Sequence, residues 1–126
     1  MITGKTKLVG LIGNPVSHSL SPTMHNAAFG EMGINWCYIP ICCKNDNLNE
    51  IIYALKHMDF KGLNITIPHK KESIKACSEI SKIAHSLGAI NTLIPNSDNG
   101  WTGDNTDIEG FITPIKSRNW NGKNAI

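Results

Sequence analysis

Apolar runs of strand length alternate along this chain with segments whose apolar residues recur every three or four positions. Lys7 to Gly13 carries Leu8, Val9, Leu11 and Ile12 with no charged interruption, the pattern of a strand buried on both faces. Ser21 and Pro22 then offer an N-cap and a first-turn proline to a helix through Met24, Ala27, Ala28 and Met32, stopping near Gly33. Trp36 to Cys43 reads as a second strand, and Leu48, Ile51, Ile52, Leu55 and Met58 fall on one helical face behind a cap at Asp46 or Asn47. Gly62 to Ile67 is a third strand, cut off by Pro68. Ile74, Cys77, Ile80, Ile83, Ala84 and Leu87 continue a helical stripe, interrupted near Ser78 and ended by Gly88. Ala89 to Pro95 is a fourth strand, Asn96 to Gly100 a hairpin-type turn, and Trp101-Thr102 the start of a short return strand. A last helix from Asp107 to about Ser117 places Ile108, Phe111, Ile112 and Ile115 together, although Gly110 and Pro114 are poor interior residues.

This order predicts an α/β fold: three layers, a mostly parallel mixed sheet of five to six strands with one antiparallel element, and helices on both faces. Asn121-Gly122 reads as a turn, and Lys123 to Ile126 as a strand that has only begun, since strands commonly run to about five or six residues. The expected organisation is therefore one domain over residues 1–121 and, over 122–126, the opening of a second.

Composition narrows the function. The 126 residues are 40% apolar and 17% charged, which is globular. Twelve Lys and Arg against ten Asp and Glu leave a formal charge of +2 with the lysines scattered, so no footprint for nucleic acid is expected. No apolar run approaches the roughly 18 residues of a membrane span. Met1 to Gly4 lead directly into the first strand without a signal segment, so a cytoplasmic protein is expected. Cys37, Cys42, Cys43 and Cys77 have neither zinc-ligand nor redox spacing. Cys37 and Cys42, set among Trp36, Tyr38, Ile39 and Ile41, read as small buried hydrophobes. The five histidines show no ligand spacing, and no metal is expected.

The chemistry collects where strands end. Ser17, His18, Ser19 and Ser21 follow the first strand; Asn64, Thr66, His69, Lys70 and Lys71 close the third; Asn91-Thr92 lies in the fourth; Gly103-Asp104-Asn105-Thr106-Asp107 follows the fifth. In open α/β sheets ligands bind outside the carboxyl ends of the strands, so these groups can converge on one crevice. Clustered hydroxyls suit a ligand that is itself rich in hydroxyls. Asn64 and Thr66 share one strand face, and Ile65 and Ile67 the other. Lys70, at the expected start of a helix after Pro68, would sit in a field that eases loss of its proton. Asp107 is its natural partner, with Asp104 and Thr106 available to cap the last helix.

Gly13-Asn14-Pro15-Val16-Ser17-His18-Ser19-Leu20-Ser21-Pro22, Asn64-Ile65-Thr66-Ile67-Pro68-His69-Lys70, Gly88-Ala89-Ile90-Asn91-Thr92 and Gly103-Asp104-Asn105-Thr106-Asp107, in that order, resemble the N-terminal substrate-binding domain of shikimate dehydrogenases. The resemblance implies reversible hydride transfer between NADPH and 3-dehydroshikimate, within aromatic amino-acid biosynthesis. It implies that Ser19 and Ser21 hold the substrate carboxylate, that Asn64, Thr66, Asn91 and Asp107 bind ring hydroxyls, and that Lys70 and Asp107 form the catalytic pair. Ile108 stands where many members have glycine. NADP would be held by a Rossmann-type domain beyond these residues, because no G-x-G-x-x-G is present and Gly10-Leu-Ile-Gly13 is too short a glycine pattern. The fragment alone is expected to bind substrate weakly and not to turn it over. A quinate-preferring dehydrogenase and a stand-alone binding module without catalysis are the alternatives. The residues leave the oligomeric state open, a homodimer included.

Overall fold

The apolar run Leu8–Ile12 is shielded on both sides because its strand lies one place in from the edge of a six-stranded sheet of order β2-β1-β3-β5-β6-β4. A computed structural model describes residues 1–118, 120 and 122. The elements are β1 (Lys7–Gly13), α1 (Ser21–Glu31), β2 (Trp36–Cys42), α2 (Leu48–His57), β3 (Leu63–Ile65), β4 (Glu79–Ile80), α3 (Lys82–Leu87), β5 (Thr92–Pro95), β6 (Trp101–Asp104) and α4 (Asp107–Ser117). Short 3₁₀ runs at Asn45–Asn47 and Glu72–Ala76 precede α2 and β4.

Side-chain alternation along β1 divides the core in two. Ile12 faces a large cluster with Leu48, Ile52 and Leu55 of α2, Ala84 of α3, and Leu63, Ile65, Leu93 and Trp101 of the sheet, all buried. Val9 and Leu11 face the other way, onto Tyr38, with Phe29 and Trp36 packed against them. The indole N–H of Trp101 donates to the Ile52 carbonyl at 3.2 Å, which satisfies the polar end of a buried aromatic. Gly88 ends α3 in the left-handed region at φ +63°, and its N–H returns to Ala84.

β2 is an edge strand, and α1 serves its outer rim. The Asn26 amide accepts from the Tyr38 N–H and donates to the Tyr38 carbonyl, both at 2.8 Å. Two residues on, Pro40 presents no N–H on that rim.

The expected α/β architecture is present, with three local corrections. The single antiparallel strand is β5, which runs against both β3 and β6; the return strand β6 shares the direction of β1, β2, β3 and β4. The stripe from Ile74 to Leu87 is not one interrupted helix. It is the 3₁₀ run, then the two-residue strand β4, then α3, because Ser78 and Ser81 donate their N–H groups to Trp101 and Gly103 and bind the segment to β6. Cys42 is exposed rather than buried, with its thiol 3.6 Å from Asn14 Oδ1, while Cys43 is the buried one and Cys37 is half-buried.

α4 forms through Gly110 and Pro114 as expected, yet none of its residues is buried among the described residues, and Phe111 is exposed. Residues 121 and 123–126, where the expected turn and following strand fall, lie outside the described residues. Among the described residues no helix is long and apolar enough to cross a membrane, and no group of His, Cys, Asp and Glu is placed to hold a metal ion.

Candidate active site

The reversed direction of β5 matters here. Asn91 immediately precedes β5, so it stands on the same sheet edge as the carboxyl ends of β1, β3 and β6. All four polar motifs therefore share one rim, which a fully parallel arrangement would not have given.

The first two motifs are stitched together by backbone. Thr66 donates its N–H to Ile12 at 2.9 Å, Asn14 to Ile67 at 3.0 Å, and Cys43 to Gly13 at 3.1 Å. Gly13 allows this approach: a Cβ there would collide with the Thr66 methyl and lie 3.0 Å from a Val16 methyl. Ser19 Oγ accepts the Ser21 N–H at 3.2 Å. This corrects the expected cap. Ser21 is the first residue of α1 itself, Leu20 precedes it without a side-chain cap, and Ser19 satisfies a free N–H of the first turn. The Ser19 hydroxyl hydrogen stays free to donate.

Lys70 does not open a helix. Residues 67–71 are a turn, followed only by the short 3₁₀ run, so the expected helix does not begin at Lys70. The turn is held on both sides. His69 is buried and its Nε2 donates to the Cys43 carbonyl at 2.7 Å, the Lys70 carbonyl accepts from Ile90 N–H at 2.8 Å, and Ser73 N–H donates to the His69 carbonyl at 2.9 Å. The strand ends at Ile65, and Ile67 is exposed rather than facing the core with Ile65.

What faces the ammonium is a carboxylate: Lys70 Nζ donates to Asp107 Oδ2 at 2.6 Å. Asp107 is spared capping duty. The Asn105 side chain accepts the Asp107 N–H at 3.0 Å and is anchored by donating to the Ala89 carbonyl at 3.0 Å. Asp104 is occupied as well, accepting from Ser81 Oγ and from the Asn105 N–H. The second Asp107 oxygen accepts from Asn91 Nδ2 at 2.8 Å. The hydrogen bond from Lys70 holds the Asp107 carboxyl below the usual carboxylate range; partial burial opposes this, and Asn91 adds to it. The side chains are 33% and 55% exposed, so the pair adds little to stability and stays open to a ligand.

Asn91 is 9% exposed and its amide is fully engaged. Nδ2 serves Thr106 Oγ1 and Asp107, while Oδ1 accepts from Thr92 Oγ1 at 2.8 Å and from Thr106 N–H at 3.1 Å. It orients Asp107. Asn64 lies half-buried beside it; its Oδ1 accepts from the Tyr38 hydroxyl at 2.9 Å, and its Nδ2 is 3.5 Å from Thr92 Oγ1. Of the residues singled out from sequence, Lys70, Asn91, Asp107 and Asn64 thus join through hydrogen bonds, while Ser19 and Thr66 lie in the adjoining stitched loops and Ser21 opens α1. Tyr38 was missed, and Thr92, noted beside Asn91, was given no role. A tyrosine at a strand position flanked by apolar neighbours is the available signal, because a buried phenol needs a partner.

Comparison with known proteins accords with this geometry. Residues 11–93 match the family model described as shikimate dehydrogenase substrate binding domain. A shikimate dehydrogenase (NADP(+)) of Prochlorococcus marinus strain MIT 9515 is 56% identical over all 126 residues, which span 44% of that protein. A shikimate dehydrogenase crystallised with NADP+ is 44% identical, with a TM-score of 0.85 over 92% of this chain and 40% of that one. The Listeria monocytogenes shikimate 5-dehydrogenase, solved with shikimate and NAD, is 36% identical, with a TM-score of 0.88 over 95% of this chain and 41% of that one. The chain spans less than half the length of these relatives.

Proposed function

The chain belongs to the shikimate dehydrogenase substrate-binding domain family, and from that premise we propose that it supplies the substrate half of an NADP-dependent shikimate dehydrogenase. The observation that carries this is the Lys70–Asp107 pair, joined at 2.6 Å on a rim of hydroxyl and amide groups. Reducing the 3-keto group of 3-dehydroshikimate requires a proton on oxygen as hydride reaches carbon. Lys70 is placed to give that proton to the forming alkoxide, and in the reverse direction to take it from the substrate hydroxyl. Asp107 keeps the ammonium in place and offers its oxygens to a ring hydroxyl. Ser19 and Ser21 donate to the substrate carboxylate, and Asn64 and Thr66 bind ring hydroxyls. Asn91 acts through Asp107, since its amide is already spent.

This chain's residues do not fit a dinucleotide. The connection from β1 to α1, residues 14–20, contains two serines, a proline and no glycine, so no backbone cradle for a pyrophosphate can form there. In this reading NADP, the hydride carrier, belongs to the remainder of the longer protein, whose cofactor domain opens at 122–126 after a substrate domain over 1–121. The protein works in the cytoplasm, in the shikimate pathway of aromatic amino-acid biosynthesis. The test is steady-state oxidation of shikimate and of quinate with NADP+ by the full-length protein. Turnover with a preference for shikimate is expected; a preference for quinate, or binding without turnover, would overturn the assignment.

A further inference from the structure

The chemistry above leaves one buried phenol unused. Tyr38 is 4% exposed, and its ring is fixed before any ligand arrives. His25 stacks on it with centroids 4.4 Å apart and planes within 10°, and Asn26 grips its backbone on both polar groups. Burial raises its pKa to about 12, with the nearby Ser21 hydroxyl opposing, so the group remains an O–H donor at neutral pH.

From this phenol a file of hydrogen bonds runs to the Lys70–Asp107 pair. Tyr38 donates to Asn64 Oδ1 at 2.9 Å, Asn64 Nδ2 to Thr92 Oγ1 at 3.5 Å, Thr92 to Asn91 Oδ1 at 2.8 Å, and Asn91 Nδ2 to Asp107 Oδ1 at 2.8 Å. Every donor points toward the carboxylate. That sense is forced from the acidic end, because an ionised carboxylate only accepts. Asn91 must turn its NH₂ to Asp107 and its oxygen to Thr92; the Thr92 hydroxyl must then donate to Asn91 and accept from Asn64. The Asn64 oxygen is left facing Tyr38, which must donate. The weakest link is the long one at Asn64, so the phenol is the firmest constraint on that amide.

We propose that Tyr38 is a positioning residue for substrate recognition, fixing through its hydroxyl which end of the Asn64 amide meets a ring hydroxyl. The inference rests on the proposed role of Asn64 as a ring-hydroxyl ligand. Tyr38→Phe removes the donor but keeps the ring and its stack on His25, leaving the amide held only by its long contacts to the Asn91 carbonyl at 3.4 Å and to Thr92 Oγ1 at 3.5 Å.

The test is a double-mutant cycle in the full-length protein, with Tyr38→Phe, Asn64→Ala and the double variant assayed for shikimate oxidation alongside thermal melts. Tyr38→Phe is expected to raise the KM for shikimate by about two- to tenfold, the worth of one neutral hydrogen bond, with kcat and the KM for NADP+ close to wild type. In the Asn64→Ala background the same change should raise KM no further. An equal KM increase in both backgrounds would overturn the inference, as would an unaltered KM with only a lowered melting temperature. Asn64→Ser replaces the alanine variant in the cycle if the latter does not fold. A wild-type protein that does not oxidise shikimate overturns the proposed function and this inference together, whereas an active wild type with an indifferent Tyr38→Phe overturns this inference alone.

Discussion

Asp107→Asn separates the work of the proposed catalytic pair from its contribution to folding. In the native site one carboxylate oxygen takes Lys70 Nζ at 2.6 Å and the other takes Asn91 Nδ2 at 2.8 Å. An asparagine keeps the shape but offers one accepting oxygen to two donors, so its NH₂ must confront either the ammonium or the Asn91 amide. Because the Asp107 side chain is 55% exposed, water can relieve that clash, and the stability loss should stay within about 1 kcal/mol. The chemical loss is of another size. With no negative charge to hold it, the Lys70 ammonium should leave the geometry in which the proposed mechanism has it meet the forming alkoxide. General acid–base catalysis is worth about 10² to 10⁴ in rate, so kcat should fall by that factor, equivalent to about 3–5 kcal/mol of transition-state stabilisation. The assay pairs steady-state shikimate oxidation, read from the reduced cofactor's absorbance, with thermal unfolding followed by circular dichroism. A wild-type kcat would remove Asp107 from the mechanism. A collapse of melting temperature in step with activity would make the pair structural instead.

Three further outcomes are expected. Ser19→Ala should weaken shikimate binding by about 1–3 kcal/mol if a buried hydrogen bond to the substrate carboxylate is lost, and unaltered affinity by titration calorimetry would count against the clamp. Gly13→Ala drives a methyl into Thr66 at the closest approach of the two stitched loops, so about 1–3 kcal/mol of overpacking cost should accompany a raised KM for shikimate; denaturant melts and kinetics read both. The Asp107 carboxyl is held below the usual carboxylate range, chiefly by Lys70, so its native pKa lies under its unfolded one. Its stabilisation is therefore complete above the unfolded value of about 4 and is lost as pH falls through the native value. Wild type and Asp107→Asn should differ by a constant at neutral pH and converge under acid; a gap that widens on acidification would contradict the pairing.

Much of this was legible because polar residues at strand ends are expensive to leave idle. Lys70 and Asp107 could be paired from sequence because a parallel sheet gathers its carboxyl ends, but the first-turn N–H of the last helix went to Asn105 and not to the expected Asp104 or Thr106. Other features depend on partners far along the chain. The direction of β5 is not written in its apolar run, which alternates identically either way; β3 and β6 decide it through their hydrogen bonds. β4 has only two residues, too few for any periodicity, and exists because β6 accepts the flanking N–H groups. The shift of the first-turn hydrogen bond from Ser21 to Ser19 is a two-residue difference among three neighbouring hydroxyls, below what cap preferences resolve. Tyr38 was overlooked because its ring belongs to the core while only its oxygen belongs to the site.

The grip of Asn26 on β2 has a consequence for how the molecule meets its neighbours. An edge strand is a ready template for strand addition by another chain, and proteins usually blunt it with charge or distortion. Here a side-chain amide imitates the missing strand at Tyr38, Trp36 returns its N–H to Ile34, and Pro40 has none to give. From Trp36 to Pro40 that rim therefore has no N–H left for a foreign backbone. Another copy adding a strand along β2 would find no free donor there, which works against a common route to β-aggregation.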